Sequence, residues 1–240
     1  MIIDFYQIGI NKASTFPGFC PKHDSSLFNS IDNKPISLDD PEQLFLLAYR
    51  AATRELHVLM EAFCRIQALY EYQVSKELVP GDSPSQSSLE AVNYSLNSWN
   101  VWRHRYKFYD LNLIDERYNS IKHSIFTIFD CRPVIAASSY IYIGTDSERY
   151  PISLILNIIP HDQHSTLVIF SYPRQHSHHV RKFISPILKT NGAARNSELS
   201  RLLIGATENF FISPEKFEKW SDSKKTNIKK IYANFNDYSK

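Results

Sequence analysis

Residues 40–78, DPEQLFLLAYRAATRELHVLMEAFCRIQALYEYQVSKEL, decide the fold of this chain. Their apolar members recur every three or four positions, which is the period of one face of an α-helix. These members are Phe45, Ala48, Ala52, Leu56, Leu59, Phe63, Ile66, Tyr70 and Val74. Asp40 suits the N-cap, Pro41 the first helical position, and Gln43 completes a capping-box pattern. The stretch predicts one amphipathic helix of roughly 55 Å, at 1.5 Å per residue.

A second long helix is predicted after the break VPGDSPSQ at 79–86, where two prolines and a glycine stop the first helix. Ser87, with Glu90 three residues later, gives its start. Its apolar stripe consists of Leu89, Val92, Leu96, Trp99, Tyr106, Tyr109 and Leu113. Aromatic stripes at helical spacing usually belong to a core, so we expect this one to be buried. The short connection favours an antiparallel helical hairpin.

The second half of the chain reads as a sheet followed by helices. Strands are predicted at 124–129, 134–143, 152–159 and 166–172, where Ile, Val, Tyr and Phe are frequent. The turns between them are short, which favours antiparallel pairing. Helices are predicted at 180–188, 197–211, 214–220 and 224–235, and a short strand at 2–10. The predicted fold class is α+β: a long antiparallel helical hairpin packed with an antiparallel sheet of about four strands and C-terminal helices.

We predict a single domain over residues 1–240. Its parts are an N-terminal arm with a C-x-x-H-D loop (1–40), the hairpin (41–120), the sheet (121–173) and the C-terminal helices (174–240).

The totals exclude several function classes. The chain has only 6 Gly and neither G-x-x-x-x-G-K-[ST] nor G-x-G-x-x-G, which disfavours a glycine-loop nucleotide site. A net charge of +2 gives no whole-protein argument for nucleic acid or membrane. No apolar run reaches about 18 residues, and the start MIIDFYQIG lacks the basic region of a signal peptide. Cys20, Cys64 and Cys131 are odd in number and widely spaced, so we expect no disulfide framework and a cytoplasmic location.

Residues 16–28, FPGFCPKHDSSLF, place a thiol, an imidazole and a carboxylate together at Cys20, His23 and Asp24. Four phenylalanines accompany them: Phe5, Phe16, Phe19 and Phe28. By spacing, Cys20 and His23 are half of a tetrahedral zinc site. Asp24, or Cys64 with His57 two helical turns away, would have to supply further ligands.

Two other interpretations apply to the same segment. His23 with Asp24 resembles a general base with its carboxylate, as metal-assisted phosphodiester hydrolysis requires. Alternatively, the segment is a structural joint that locks the N-terminal arm onto the first long helix, with the thiol acting as a small hydrophobe. We favour the joint.

A second histidine group surrounds the predicted turn at 160–165. It consists of His161, Asp162 and His164, with His176, His178 and His179 further on. Imidazoles suit zinc or nickel, but histidines at a turn are more often solvated.

The segment WNVWRHRYKFY at 99–109 interleaves basic and aromatic residues. Arg103, Arg105 and Lys107 are candidates for contact with a phosphate backbone, with aromatic rings for base stacking. An amphipathic helix with its charges in water explains the same residues.

Residues 8–24, IGINKASTFPGFCPKHD, resemble a family of uncharacterised bacterial proteins. Its members share T-F-x-G-F-C-x-x-H-D-x-x-[LI]-F followed by E-Q-L-F-L-x-A-Y-R, here 42–50. The P-x-I-A-x-S pattern at 133–138, the I-x-F-S pattern at 168–171 and the E-N-x-[FY]-I-S-P pattern at 208–214 extend the resemblance over nearly the whole chain.

The resemblance implies no established function. Longer members of that family look as if they carry an upstream segment with a cysteine pair and a histidine. With such a segment they would resemble small zinc-stabilised folds of the HNH-nuclease kind. This chain starts at Met1 just before the motif, so we expect a short form or a late start codon.

Three functions remain open from the sequence. The favoured one is a non-enzymatic interaction or accessory protein of the bacterial cytoplasm, in a defence or mobile-element setting, because no catalytic set is complete and the long helices suit partner packing. The alternatives are a metal-dependent, HNH-like nuclease or half-site at the C-x-x-H-D loop, and a nucleic-acid-binding protein. No cofactor is expected except zinc in the nuclease case. A protein partner, a second copy or nucleic acid are the expected partners, and no membrane.

Overall fold

The computed structural model describes residues 4–9, 18–81, 84–129, 132–207 and 210–238. Its helices and turns up to residue 120 are α1 (Pro21–Asp32), α2 (Pro41–Ser75), α3 (Gln86–Arg105), a π-helical turn (Tyr106–Asp110), α4 (Leu111–Ile114) and a 3₁₀ turn (Tyr118–Ser120). The long helices α2 and α3 form the predicted hairpin. No helix in these ranges is both long and apolar enough to cross a membrane.

An antiparallel sheet follows in the order β1-β4-β3-β2-β5. Its strands are β1 (Ile121–Ile128), β2 (Ile135–Thr145), β3 (Pro151–Pro160), β4 (Thr166–Pro173) and β5 (Phe211–Ile212). β5 pairs with β2 at the edge and adds a fifth strand to the four predicted.

The C-terminal part is helical, after a 3₁₀ turn at Arg174–His176. Its helices are α5 (Ser177–Phe183), α6 (Ser185–Leu188), α7 (Gly192–Ala206), α8 (Pro214–Glu218) and α9 (Asp222–Tyr238). The prediction that one helix continues to residue 211 is wrong. Thr207 adopts an extended conformation after Ala206, and Phe211 joins the sheet.

The sheet lies between two layers of helices, which confirms the predicted α+β class. Along β3, Ile155 belongs to the core shared with the hairpin, whereas Leu154 and Leu156 belong to the core shared with α5 and α7. Adjacent strand residues point to opposite faces. β3 is therefore apolar almost throughout, because both of its faces are covered.

The N-terminal predictions need two corrections. Residues 4–9 form no strand; Phe5 instead packs against Phe217 and Trp220, at ring distances of 5.0 and 6.1 Å. The predicted C-x-x-H-D loop is the start of helix α1, with Cys20 at its N-cap. Pro21 at the first helical position fixes φ and favours that start.

The caps of the hairpin helices differ in part from the prediction. Asp40 caps α2 as expected, but Gln43 does not reach back to it; its side chain bonds backbone groups of Ser30, Pro35 and Ser37. The start of α3 is also corrected. Ser85, rather than Ser87, is the N-cap, because Ser85 and Ser88 satisfy each other's backbone N–H groups.

Candidate interaction surface

The apolar stripe of α3 lies on the outside of the molecule. Five of its predicted members are about half exposed: Leu89 57%, Val92 55%, Leu96 55%, Trp99 54% and Tyr106 47%. Trp102, at 38%, lies among them. We call these six residues the outer seam. The prediction that the stripe is buried is wrong for its five exposed members; Tyr109 is fully buried and Leu113 partly so.

A different set of residues packs α3 onto α2, and we call it the inner seam: Ser87, Ala91, Tyr94, Ser98 and Val101. Ser87 Oγ donates a hydrogen bond of 2.6 Å to Gln73 Oε1 of α2. Ala91 and Val101 are buried, and Tyr94 packs against the core cluster that contains Leu56 and Leu59. The spacings within this seam are also three or four, so it makes a complete helix contact without the larger apolar residues.

Three rings of the outer seam stack along the helix. Trp99 and Trp102 have centroids 4.9 Å apart with planes at 19°, and Trp102 and Tyr106 follow at 5.5 Å and 12°. Neighbouring rings restrict one another's rotamers, so this part of the surface is preorganised. Rigid Trp and Tyr side chains are enriched at the energetic centres of protein interfaces.

The helix around the outer seam carries no charge over residues 91–102, AVNYSLNSWNVW. Its exposed polar neighbours are Asn93, Ser95 and Asn97. Most solvated helix faces carry charged residues, whereas the cores of interfaces are depleted in them. The outer seam therefore has the composition of an interface rather than of a solvated face.

The π-helical turn explains why the stripe changes sides. In an uninterrupted α-helix, residues three apart share a face, so Tyr106 and Tyr109 would point together. The turn over Tyr106–Asp110 adds a residue to one helical turn and shifts the facing of those after it. Phe108 and Tyr109 are consequently buried in the hairpin core while Tyr106 stays outside.

The C-x-x-H-D residues lie at the first turn of α1. Cys20 Sγ is 3.3 Å from His23 Nδ1, and both side chains are exposed. The Asp24 carboxylate lies 3.6 Å from Arg50, which also makes two hydrogen bonds of 2.6 and 2.8 Å to Asp32. Asp24 therefore faces Arg50, and within the described residues it makes no contact that would orient the His23 ring.

The phenylalanines of that segment separate into two groups. Phe28 is fully buried and packs with Phe19 and Tyr49, at ring distances of 5.6 and 6.3 Å from Phe28. Phe5 lies instead in the aromatic group at α8. Phe16 is outside the described residues.

Within the described residues, the predicted zinc ligands Cys20 and His23 meet, but no third ligand joins them. Across the described ranges, no three His, Cys, Asp or Glu side chains come together as a metal site would require. Cys20 and Cys64 are free and exposed, and Cys131 lies outside the described residues.

The second histidine group is divided between the two ends of β4. His161, Asp162 and His164 form the β3–β4 turn, where Asp162 Oδ1 accepts the His164 N–H at 2.7 Å. His176 follows β4, roughly 26 Å away at about 3.3 Å per strand residue. These histidines are close along the chain, but the extended strand β4 between them separates them in space.

His176 meets Asp146 at the rim of a cleft of about 490 Å³. Its Nε2 lies 3.1 Å from Asp146 Oδ2. Burial acts to raise the pKa of Asp146, but hydrogen bonds from the backbone of Tyr150, from His176 and from the backbone of Glu148 lower it below its usual 3.8. The carboxylate is therefore held ionised and oriented by the turn after β2.

The three predicted nucleic-acid contacts are engaged within the protein. Arg103 and Lys107 both stack on the ring of Tyr150, at 4.3 and 3.6 Å from its centroid. Arg105 donates two hydrogen bonds of 3.3 Å to Asp110. Arg103 and Lys107 thus share a site at the β2–β3 turn, and Arg105 points elsewhere.

A groove of about 530 Å³ runs along α5 and α6. It is lined by Ser177, His178, Arg181, Lys182, Ser185 and Lys189. No acidic residue is among these lining residues, so the groove presents three cations and two hydroxyls to a solute.

The C-terminal end of α3 contains a buried, uncharged histidine. His104 has no exposed surface, and neither ring nitrogen has a hydrogen-bond partner within the described residues. Burial, and secondarily the nearby His176, lowers the pKa of His104 to about 3. Its ring packs edge-on against Tyr140 at 5.3 Å. The side chain therefore acts as an aromatic core residue at neutral pH.

Comparisons with protein families, with curated proteins and with solved structures found no match to this chain. The resemblance of its N-terminal motif to a bacterial family therefore remains a prediction.

The apolar stripe of α3 was predicted to face the core, but as the outer seam it faces solvent. One sequence feature could have indicated this exposed position, namely the presence of two seams in the same helix. Both follow a spacing of three and four. One consists of Ser and Ala residues with Tyr94 and Val101, and the other consists only of large apolar residues. The absence of charge over 91–102 is a second signal, since a helix with one solvated face normally carries several.

Proposed function

We propose that this protein is a non-enzymatic interaction protein that works through the outer seam of α3. The observation that carries the proposal is a row of six apolar side chains, three of them stacked rings, exposed on a helix that is already packed by its other face. We keep the bacterial cytoplasm as its setting, which the three widely spaced cysteines favour.

The size of the exposed patch supports this proposal. Three aromatic and three aliphatic side chains, each about half exposed, leave on the order of 500 Å² of contiguous apolar surface. The largest patch on a typical monomer is about 300–600 Å² and is often functional. Scattered exposed leucines need no explanation, whereas a spaced row on one helix does.

A position-specific crosslink tests the proposal without knowledge of the partner. A photoreactive residue placed at Leu96 is expected to give a discrete adduct in the native host. The same residue at Asn97, about 100° further round the helix, is the control and should give none. Equal adducts at both positions, or none at Leu96, would contradict the proposal.

The nuclease alternative has less support. His23 and Cys20 are exposed at a helix start, and Asp24 is directed to Arg50. A general base needs a partner that fixes its ring, and no carboxylate of the segment does so. The Asp146–His176 pair has better geometry, but the pair alone does not define a reaction.

The groove at α5 and α6 favours a second candidate function, binding of a nucleic-acid backbone. Arg181 and Lys189 lie eight residues apart along the groove, and Lys182 follows Arg181. The serine hydroxyls come from Ser177, which precedes Arg181, and from Ser185, which lies between the two. Unlike Arg103 and Lys107, these cations are not stacked on a ring of the described protein. Cations that face solvent are the ones that can release counterions from a phosphate backbone.

Salt-dependent binding to a single-stranded DNA oligonucleotide tests this second function. Arg181→Glu/Lys182→Glu is expected to abolish the binding seen at low salt. Arg103→Glu/Lys107→Glu is the matched control, with the same charge change at the site chosen from the sequence. Loss in the control variant alone would return the function to Arg103 and Lys107, and no binding by the unaltered protein would exclude both surfaces.

A further inference from the structure

We infer that the partner of the outer seam is a second copy of this chain, so that two hairpins pair through α3 across a two-fold axis. This inference rests on the proposed function and identifies its partner. Three properties of the helix support it: its charge, its two seams and the area it offers.

The absence of charge in the middle of α3 favours contact between two copies of this helix. In a two-fold interface both copies use the same surface, so a charged residue near the axis would meet the same charge on its copy. Residues 91–102 carry none. Ser95, the exposed polar residue among them that lies on the same side of the helix as the outer seam, bears a hydroxyl that both donates and accepts hydrogen bonds. The surface is thus complementary to itself without a second surface of opposite charge.

The two seams give α3 the pattern of a helix inside a bundle. The inner seam meets α2, and the outer seam repeats the spacing of three and four at Leu89, Val92, Leu96 and Trp99, then again seven residues on at Tyr106. That spacing is the seam of a helix that packs along another helix. One hairpin supplies two helices, and two hairpins joined through their outer seams form a four-helix arrangement.

The middle of the outer seam locates the axis. In an antiparallel pairing of identical helices, the axis crosses the centre of the contact, which here falls between Leu96 and Trp99. Trp99 would then be among the most buried residues of the interface. Trp is enriched at such energetic centres.

The exposed area reaches what a specific interface needs. On the order of 500 Å² per copy gives roughly 1,000 Å² for two copies, before Ser95 is added. This is the lower limit of specific protein interfaces. We therefore expect a dimer with a dissociation constant in the micromolar range rather than an obligate one.

Light scattering across a concentration series tests the inference. The unaltered chain is expected to shift from monomer to dimer mass between about 1 and 100 µM. Leu96→Asp should remain a monomer over that range, because two new carboxylates would meet at the axis. Asn97→Asp introduces the same charge one residue away and should dimerise as the unaltered chain does. Both positions are exposed, so circular dichroism should show the same helix content in all three proteins.

The outcomes separate this inference from the proposed function. A monomer at every concentration, together with Leu96 adducts whose mass is not twice that of the chain, overturns the second copy but leaves an interaction surface with another partner. A monomer with no adduct overturns both. A dimer that persists in Leu96→Asp places the interface elsewhere and overturns the inference.

Discussion

The two ends of the helical hairpin both carry apolar stripes, but their surroundings differ. Within α2, every buried residue lies at or before Leu59, and this end packs on the sheet. Beyond it, residues such as Met60, Leu69 and Tyr72 are about half exposed. On α3, Val101 and His104 are buried near the sheet, whereas Val92 and Leu96 are exposed further out.

The difference shows that an apolar stripe predicts a contact and not its location. At the sheet end, a third layer covers the side of α3 that bears Val101 and His104, although Trp102 and Tyr106 stay exposed on the other side. At the outer end there are only two helices, and each can bury one seam against the other. The second seam of α3 is left for another molecule.

The largest expected effect comes from the same truncation at each end of the hairpin. Leu56→Ala removes a buried side chain from the hairpin core and should lower the free energy of unfolding by about 2–5 kcal/mol. Leu96→Ala should change it by no more than about 0.5 kcal/mol, because Leu96 is 55% exposed.

Urea denaturation measures both values. A protein concentration of about 0.1 µM keeps self-association from adding to the stability of the unaltered chain. A loss of similar size in the two variants would mean that the outer end is packed as tightly as the sheet end, and the contrast between them would be wrong.

The next largest effect is a decrease in the free energy of unfolding at acidic pH, caused by His104 at the sheet end of the hairpin. The pKa of His104 is lowered to about 3 in the folded protein, mainly by burial, from an ordinary value of 6.5. Below pH 6.5 the unfolded chain therefore binds a proton that the folded chain does not. Stability should fall by about 1.4 kcal/mol per pH unit from this residue alone between pH 6.5 and pH 3.

His104→Phe tests that assignment, since it keeps an aromatic ring and removes the titration. The variant should show a shallower decline between pH 6.5 and pH 4.5, measured as urea midpoints at several pH values. Some decline should remain, because burial also lowers the pKa of His123, to about 4. A variant whose decline runs parallel to that of the unaltered protein would show that His104 is not the group that titrates.

Much of the fold could be predicted because it depends on local patterns. Asp40 and Pro41 identify the start of α2, and short turns identify antiparallel strands. The errors have physical causes as well. Ser85 and Ser87 are both plausible caps, and only the reciprocal bond with Ser88 selects Ser85. The strand β5 depends on a distant partner, Ile135, that no local pattern reveals.

The candidate site was predictable only in part. The residues of the outer seam could be named from their spacing, but not the side of the helix that packs. Spacing alone cannot choose between two seams, because the choice depends on how closely α2 approaches, and Ala91 and Ser98 permit the closer contact. The π-helical turn that redirects Tyr109 has no sequence signature of its own.

The smallest effect compares the caps at the two ends of the hairpin. Asp40→Ala removes a side chain that accepts hydrogen bonds from two backbone N–H groups of α2, and should lower the global free energy of unfolding by about 1 kcal/mol. Ser85→Ala removes the equivalent cap of α3 at the outer end. Its main consequence should be local, because the end of a hairpin with few buried contacts can open without unfolding the rest.

Amide hydrogen exchange distinguishes local from global loss. In Ser85→Ala, exchange should accelerate in the first turns of α3 while the amides of β3 keep their protection. In Asp40→Ala, all slowly exchanging amides should lose protection together, since α2 begins in the core that the sheet shares. If Ser85→Ala instead weakened β3 as well, the outer end would be part of the same cooperative unit, and the two seams of α3 would then contribute to one core rather than to a core and an interface.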